Sequence, residues 1–346
     1  MKVILTVLLA CLGLSVDLAH SQAPFYQGKT ISVILGGPPG GAADLRTKAV
    51  ISFLPKHIPG NPVMVMQYMG AGGGRQAANH IYRAAPADGL VMGSMGAALV
   101  ANAVLGETGV QYDIDKLIYL GTPDSAAHYL FLTHRDAGLS HLEKLRSAPG
   151  IRIGAQSVGH PVYITGRLFA YLIGLKEPRF VTGYSGPEVD IALMGREIDA
   201  RVNIAETLIR RSLDWIEKGL VDLHAGIEIP KGEKHPRFAH LPELESFAKS
   251  GRERKLLEMF RAFRLSGQTF FLHPGTPKER AHILQEAMRK TLKDPEFHKE
   301  YKKLTGDDPT PLAPELLEKT IRELPRDPEV VELFNKIAGA EPFPPR

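Results

Sequence analysis

The sequence predicts an α/β fold built in two blocks, and three observations carry that reading. Short β-type runs alternate with helix-length segments, the pattern of βαβ units around a mainly parallel sheet. The alternation occurs twice, from Thr30 to Ser94 and again from Tyr129 to Ile204. Each block also places Gly- and Ser-rich turns between a strand and the helix after it. A length of 346 residues suits about two folded units.

In the first block, Thr30–Leu35 reads as a strand, Gly36–Gly41 as a turn and Ala43–Leu54 as a helix. That helix puts Leu45, Ala49 and Phe53 on one face and is limited by Pro55. Pro62–Gln67 is the next strand, followed by the turn Gly70–Gly74, a helix through Ala85 and a strand at Leu90–Ser94. In the second block, Tyr129–Thr133 and Ile151–Gly154 are strands, and Pro161–Ile173 is a helix stopped by Gly174. Phe180–Thr182 is a strand leading through Gly183–Pro187 into a short helix ending at Met194, and Ile198–Ile204 alternates as a strand. From Lys231 the chain turns charged and helical, and the three prolines in Glu341–Arg346 predict a loose tail.

The N-terminus sets the expected compartment. Lys2 followed by the apolar run Val3–Val16 has the length of a signal-peptide core and is too short to span a bilayer. Ala19 and Ser21 are small residues that place cleavage before Gln22, so residues 1–21 are expected to be removed and the protein exported to the periplasm. Two other readings stay open: a buried N-terminal helix, and lipid anchoring at Cys11 within Leu8-Leu-Ala-Cys11.

Composition excludes several classes. Hydrophobic residues are 44% and charged residues 23%, an ordinary balance for a protein with a packed core. Cys11 is the single cysteine, which rules out a disulfide framework or a CxxC pair. Forty-two basic against 38 acidic residues, with no basic run longer than three, gives no nucleic-acid signature.

Enzyme motifs are incomplete. Gly36–Gly41 lacks the Gly-Lys-Ser/Thr ending of a P-loop, and Gly70-Ala-Gly-Gly-Gly-Arg75 has Arg where a dinucleotide fingerprint needs its third glycine. Ala155-Gln-Ser-Val-Gly159 differs from a nucleophile elbow at its first position, so an exported serine hydrolase using Ser157, Asp222 and His224 or His273 is the alternative reading. The 13 histidines show no metal-ligand spacing.

The recurring feature is a strand ending in a Gly- or Ser-rich turn that opens a helix, at Gly36–Asp44, Gly70–Arg75, Ser157–Pro161 and Gly183–Pro187. Such turns expose free amides at the positive end of a helix dipole and hold carboxylate or phosphate without a basic side chain. In open α/β sheets ligands lie at these carboxyl ends of strands. Two blocks with facing turns would make a clamp for a small anion.

Several stretches resemble the solute receptors of tripartite tricarboxylate transporters, the TctC or Bug family. They are Phe25–Ile31, Pro39-Gly-Gly41 with Asp44, His57–Pro62, Gly70–Gly73, Ala77–Asn79, Ala85-Pro86 with Asp88-Gly89, and Pro274–Pro277. The resemblance runs from about Phe25 to Leu324 and implies a type II periplasmic binding-protein fold: two α/β domains joined by two crossover strands. It implies a small carboxylate ligand, delivery to transmembrane permease subunits, and neither a catalytic residue nor a cofactor. It carries ligand contacts onto Gly37, Pro39, Gly40, Gly41, Ala42 and Asp44 of the first turn, Gly72 and Gly73 of the second, and Ser94 after the third strand. In the second block it points to Ser157, Gly159, His160, Tyr184 and Ser185. There the chain departs from the family, with His160 in place of a hydroxyl residue and Gly183-Tyr-Ser-Gly186 in place of a Pro-Tyr-Lys-Gly turn. Capping remains open for His160, and a hinge or core place for Tyr184. Arg201 and Asn203 follow a strand towards the cleft, with a place on the surface as the open alternative.

Crossovers near Gly121–Asp124 and Leu223–Ile227 would divide the chain into one domain of 22–124 plus 228–346 and another of 125–227. A monomer is expected, since a receptor of this kind docks to a permease and no heptad pattern appears. A sensor with no transport role has the same sequence signature.

Overall fold

A computed structural model describes residues 23–346. The expected cleavage site and Cys11 lie outside the described residues. The first sheet draws on β1 (Thr30–Leu35), β2 (Val63–Tyr68), β3 (Val91–Met95) and β4 (Ile118–Gly121), with helices α1 (Ala42–Phe53), α2 (Arg75–Arg83) and α3 (Ala98–Val104) between them. The second is built from β5 (Ala127–His134), β6 (Arg152–Gly154), β7 (Arg179–Val181), β8 (Ala200–Ile204) and β9 (Val221–Ile229). Its helices are α4 (Leu142–Ser147), α5 (Pro161–Ile173), α6 (Gly186–Met194) and α7 (Ala205–Glu217). After α8 (Gly251–Leu265) the chain returns as β10 (Thr269–Leu272), then continues through α9 (Lys278–Lys293), α10 (Pro295–Thr305), α11 (Pro314–Glu323) and α12 (Pro328–Ala338).

The strand orders are β2-β1-β3-β10-β4 and β7-β6-β8-β5-β9. Each sheet has a parallel half, β2-β1-β3 and β7-β6-β8. The other half is antiparallel in its pairing, through β10 in the first sheet and β5 and β9 in the second. The expectation of mainly parallel sheets is therefore corrected to two mixed sheets. Thr269-Phe-Phe-Leu272 is a short apolar run that carries no direction in its sequence.

Alternation along β5 distributes the core. Tyr129 and Phe131 face one cluster, Leu130 and Leu132 another. The first cluster is continuous across both sheets: it holds Ile34, Met95 and Tyr119 as well as Phe131, Ile153 and Val202, with Phe260 and Phe263 of α8 and Leu333 and Phe334 of α12. The outer face of the first sheet packs Val33, Met92 and Phe270 against Val50 of α1 and Leu284 of α9.

Three features depart from expectation. β9 pairs with β5 from Val221 to Ile229, with a register shift between Phe131 and Leu132, so Leu223–Ile227 lies within the ladder of the second sheet. The segment after it, expected with the first unit, buries Phe238 and Leu241 beside Leu130 and Leu132 of the second sheet. α12 likewise packs on α5.

The tail is not loose. Arg346 pairs with Glu253 of α8, with Nε to Oε1 at 2.8 Å and Nη2 to Oε2 at 3.0 Å, and donates to Leu172 O at 2.7 Å. Arg167 of α5 donates from Nε to Ile337 O at 2.6 Å while its guanidinium lies 4.3 Å over Phe343. Proline predicted looseness here, but guanidinium and aromatic contacts override it. Among the described residues no helix is long and apolar enough to cross a membrane.

Candidate functional site

Register gathers the turns after the parallel strands of each sheet at one edge of that sheet. β1, β2 and β3 are parallel, so the turns after Leu35, Tyr68 and Met95 share the carboxyl edge of the first sheet. β4 ends at that edge, because Gly121 stands opposite Phe270 and Thr269 opposite Met95. The turns after β6, β7 and β8 share the carboxyl edge of the second sheet. β5 begins at that edge, with Tyr129 opposite Ile204. The six steps from Gly121 to Ala127 thus join one carboxyl edge to the other across at most about 20 Å.

The two connections are fastened together. Gln268 N donates to Asp124 Oδ1 at 2.9 Å, and Arg46 of α1 reaches Asp124 Oδ2 at 3.2 Å. Thr122 and Ser125 also pair with Leu312 and Thr310, at 3.1 Å and 2.8 Å.

In the first turn, Gly37, Pro39, Gly40, Gly41 and Ala42 lead into α1, whose first turn has no side-chain cap. Asp44 is fully buried and points back into the loop. It accepts from Gly40 N at 2.7 Å, Lys48 Nζ at 2.7 Å and Tyr68 OH at 2.9 Å. Burial opposes its charge, but these donors outweigh it and hold the carboxyl below its ordinary range. With its oxygens so committed, Asp44 shapes the turn and leaves the amides for a ligand. The second turn lies against the first: a Cβ at Gly70 would meet Gly37 C at 3.2 Å, and one at Gly74 would meet Gly36 O at 2.8 Å. Gly72 and Gly73 are exposed in this turn, both at positive φ. Ser94 is fully buried, its Oγ 2.7 Å from Thr47 Oγ1 and accepting from Gln268 Nε2 at 2.9 Å. It ties α1, β3 and the return connection together below the cleft.

In the second sheet, Ser157 and Gly159 are exposed between β6 and α5. His160 is the N-cap of α5, with Nδ1 accepting from Val162 N at 3.2 Å. Burial, and then the Arg264 charge, push its pKa down. Nδ1 is therefore the acceptor and Nε2 keeps the proton. Ser185 and Glu188 form a capping box at α6, with Ser185 N donating to Glu188 Oε2 at 2.6 Å. Tyr184 packs beside the cluster under α6 and donates to Glu197 at 3.4 Å, a neighbour that with burial raises its pKa. The Gly183 amide donates to Gln156 O, tying this turn to the one at Ser157. Arg201 is buried and paired with Asp190, not exposed. Asn203 is buried with Nδ2 unpartnered.

The serine-hydrolase arrangement is not assembled. β9, which carries Asp222 and His224, is three strands from β6 in the sheet, roughly 14 Å from the strand that leads to Ser157. His224 is buried with Nε2 held by Thr133 Oγ1 at 2.8 Å, and Asp222 faces Arg135 at 3.1 Å. His273 Nδ1 accepts from Gly275 N at 2.8 Å, a local turn.

Sequence reading missed the contributions of α8 and the segment after it. Arg264 lies over Tyr129 at 5.7 Å, and Gln268 links Ser94 to the crossover. Both sit in a region legible only as charged and helical. The contact depends on β10 inserting between β3 and β4.

No protein-family profile and no curated protein matches the sequence. Solved structures do match the fold. A TctC solute-binding protein from Polaromonas aligns with a TM-score of 0.65 at 15% identity, over 90% of this chain and 98% of its own. MatC from Rhodopseudomonas palustris, solved with malate, aligns with a TM-score of 0.53 at 16% identity over 90% and 99%. A second R. palustris protein, solved with adipate, gives 0.54 at 15% over 90% and 97%. The chain has the two-domain α/β fold of these periplasmic solute-binding proteins.

Proposed function

We propose that the protein is an exported solute-binding receptor of the TctC or Bug type that takes a small carboxylate between its two sheets. The observation that carries this reading is the facing of the two carboxyl edges, each bearing turns with free main-chain amides, across a connection of about 20 Å. Gly37, Gly41 and Ala42 supply amides from one lobe, and the exposed turn at Ser157–Gly159, with the Gly183–Ser185 turn beside it, closes from the other. Malate and adipate in two proteins of the same fold support a carboxylate as the class of guest. The lobes divide after about residue 124 and again beyond the segment that buries Phe238 and Leu241 on the second sheet, later than the expected boundary at 227/228. The receptor works as a single chain in the periplasm and hands its guest to transmembrane permease subunits.

A thermal-shift screen of refolded, ligand-stripped protein with succinate, malate, adipate, citrate and benzoate tests this. An acid at a hundredfold excess over its Kd adds about 2.7 kcal/mol and raises the melting temperature by several degrees. No shift with any of these acids on folded protein overturns the reading.

A further inference from the structure

Arg264 is a charge the fold positions without giving it a partner. It lies in the last turn of α8, which delivers the chain from the second sheet back to the first. Three residues earlier on the same helix, Arg261 is fully engaged, at 2.6 Å from Glu243, 2.7 Å from Glu245 and 3.2 Å from Glu228 O. Arg264 makes no ion pair and donates no hydrogen bond among the described residues, and its Nε is buried without an acceptor. Its Nε therefore bears a desolvation cost that no acceptor in the chain offsets.

Its surroundings point outwards to a guest. The guanidinium lies 5.7 Å over the ring of Tyr129, which stands opposite Ile204 at the carboxyl edge of the second sheet. Gln268, four residues on, stands at the carboxyl edge of the first, bonded to Ser94. Arg264 is therefore located between the two edges. The acid closest to it along the connection, Asp124, is already committed to Arg46 and to the Gln268 amide. His160 presents a neutral ring with a donor at Nε2 and no negative charge. Asp124 feels the Arg264 charge but gives its oxygens to Arg46 and the Gln268 amide, so the planar Arg264 fork is left without an acceptor and suits a carboxylate.

We propose that Arg264 is the specificity-determining side chain of the cleft, pairing with a second carboxylate of the guest while the amides of Gly37, Gly41 and Ala42 hold the first. This rests on the receptor reading above and assigns the discrimination between di- and monocarboxylates to one residue. A monocarboxylate of equal length leaves Arg264 unpaired and gains nothing from it.

The test is calorimetric titration of wild type, Arg264→Gln and Arg264→Lys with two matched pairs, adipate with hexanoate and succinate with butyrate. Wild type is expected to prefer the dicarboxylate of at least one pair by tenfold or more. Arg264→Gln is expected to lose that preference by weakening the dicarboxylate alone, and Arg264→Lys to keep part of it. Lysine retains the charge, so it also serves if the glutamine variant fails to fold. An unchanged ratio in folded Arg264→Gln, or no preference in wild type that binds these acids, overturns the Arg264 assignment and leaves the receptor reading standing. Folded wild type that binds none of the four acids overturns the Arg264 assignment, and the receptor reading falls with it only if malate, citrate and benzoate also fail to bind.

Discussion

Gly267 lies against the backbone of Asp124 so closely that a Cβ at position 267 would sit 1.5 Å from the Asp124 carbonyl oxygen. Gly267 also has φ +48°, a conformation that costs any L side chain. The two connections between the sheets touch at this point, and the contact admits no side chain. Gly267→Ala must push them apart. The expected cost is above about 3 kcal/mol, read as a lower urea midpoint, with weaker carboxylate binding in whatever fraction still folds.

Glu253 is 3% exposed, and its carboxylate is held by Arg346. Burial opposes its charge, but Arg346 and the amides of Lys249 and Ser250 keep its pKa below the usual range. Arg346→Ala leaves a buried carboxylate unpaired and should cost about 3 kcal/mol. Because the folded pKa is depressed, the stability Glu253 supplies is present above its unfolded pKa and is lost as pH falls through the folded one. Melting curves of wild type and Arg346→Ala at pH 7 and pH 4 should therefore converge in acid.

His224 is buried between β5 and β9, and burial lowers its pKa from 6.5 to about 4. The unfolded chain binds the proton first, so stability falls as pH drops from 6.5 towards 4. The shift corresponds to at most about 3 kcal/mol. His224→Gln keeps a partner for Thr133 and removes the titration. Its unfolding free energy, measured in urea at pH 7, 5.5 and 4.5, should fall less steeply than that of wild type.

Asp44 touches no ligand in the proposed site but anchors the turn that does. Asp44→Asn keeps the shape and loses the charge that Lys48, Tyr68 and the Gly40 amide point at. Stability should drop by about 1–2 kcal/mol. Succinate or adipate affinity should weaken about tenfold, measured by titration, with the preference for dicarboxylate over monocarboxylate retained. A loss of that preference would place Asp44 on the ligand itself.

Local pattern carried much of the fold. Thr30–Leu35 and Pro161–Ile173 are a strand and a helix to the residue, because a buried β-branched run and a proline-led, glycine-stopped apolar segment are each decided locally. The glycine turns were legible for the same reason. β10 was not, since Thr269-Phe-Phe-Leu272 becomes an interior antiparallel strand only when β3 and β4 are waiting for it. Ser94, expected in the loop after the third strand, lies inside that strand, and its burial under Gln268 depends on that same insertion. His160 was readable as a donor or as a cap. The Val162 amide makes it a cap, with its second nitrogen still able to donate. Arg264 carried no motif, because its meaning lies in the partner it lacks.

The position of β10 dictates an order of assembly. It fills the middle of the first sheet, yet every strand of the second sheet is complete forty residues before it in the chain, at Ile229. A nascent or newly exported polypeptide can finish the later lobe while the earlier one still has a gap between β3 and β4. Until Thr269–Leu272 arrives, two long edges stand open, and that interval is when the chain is most exposed to mispairing with its neighbours.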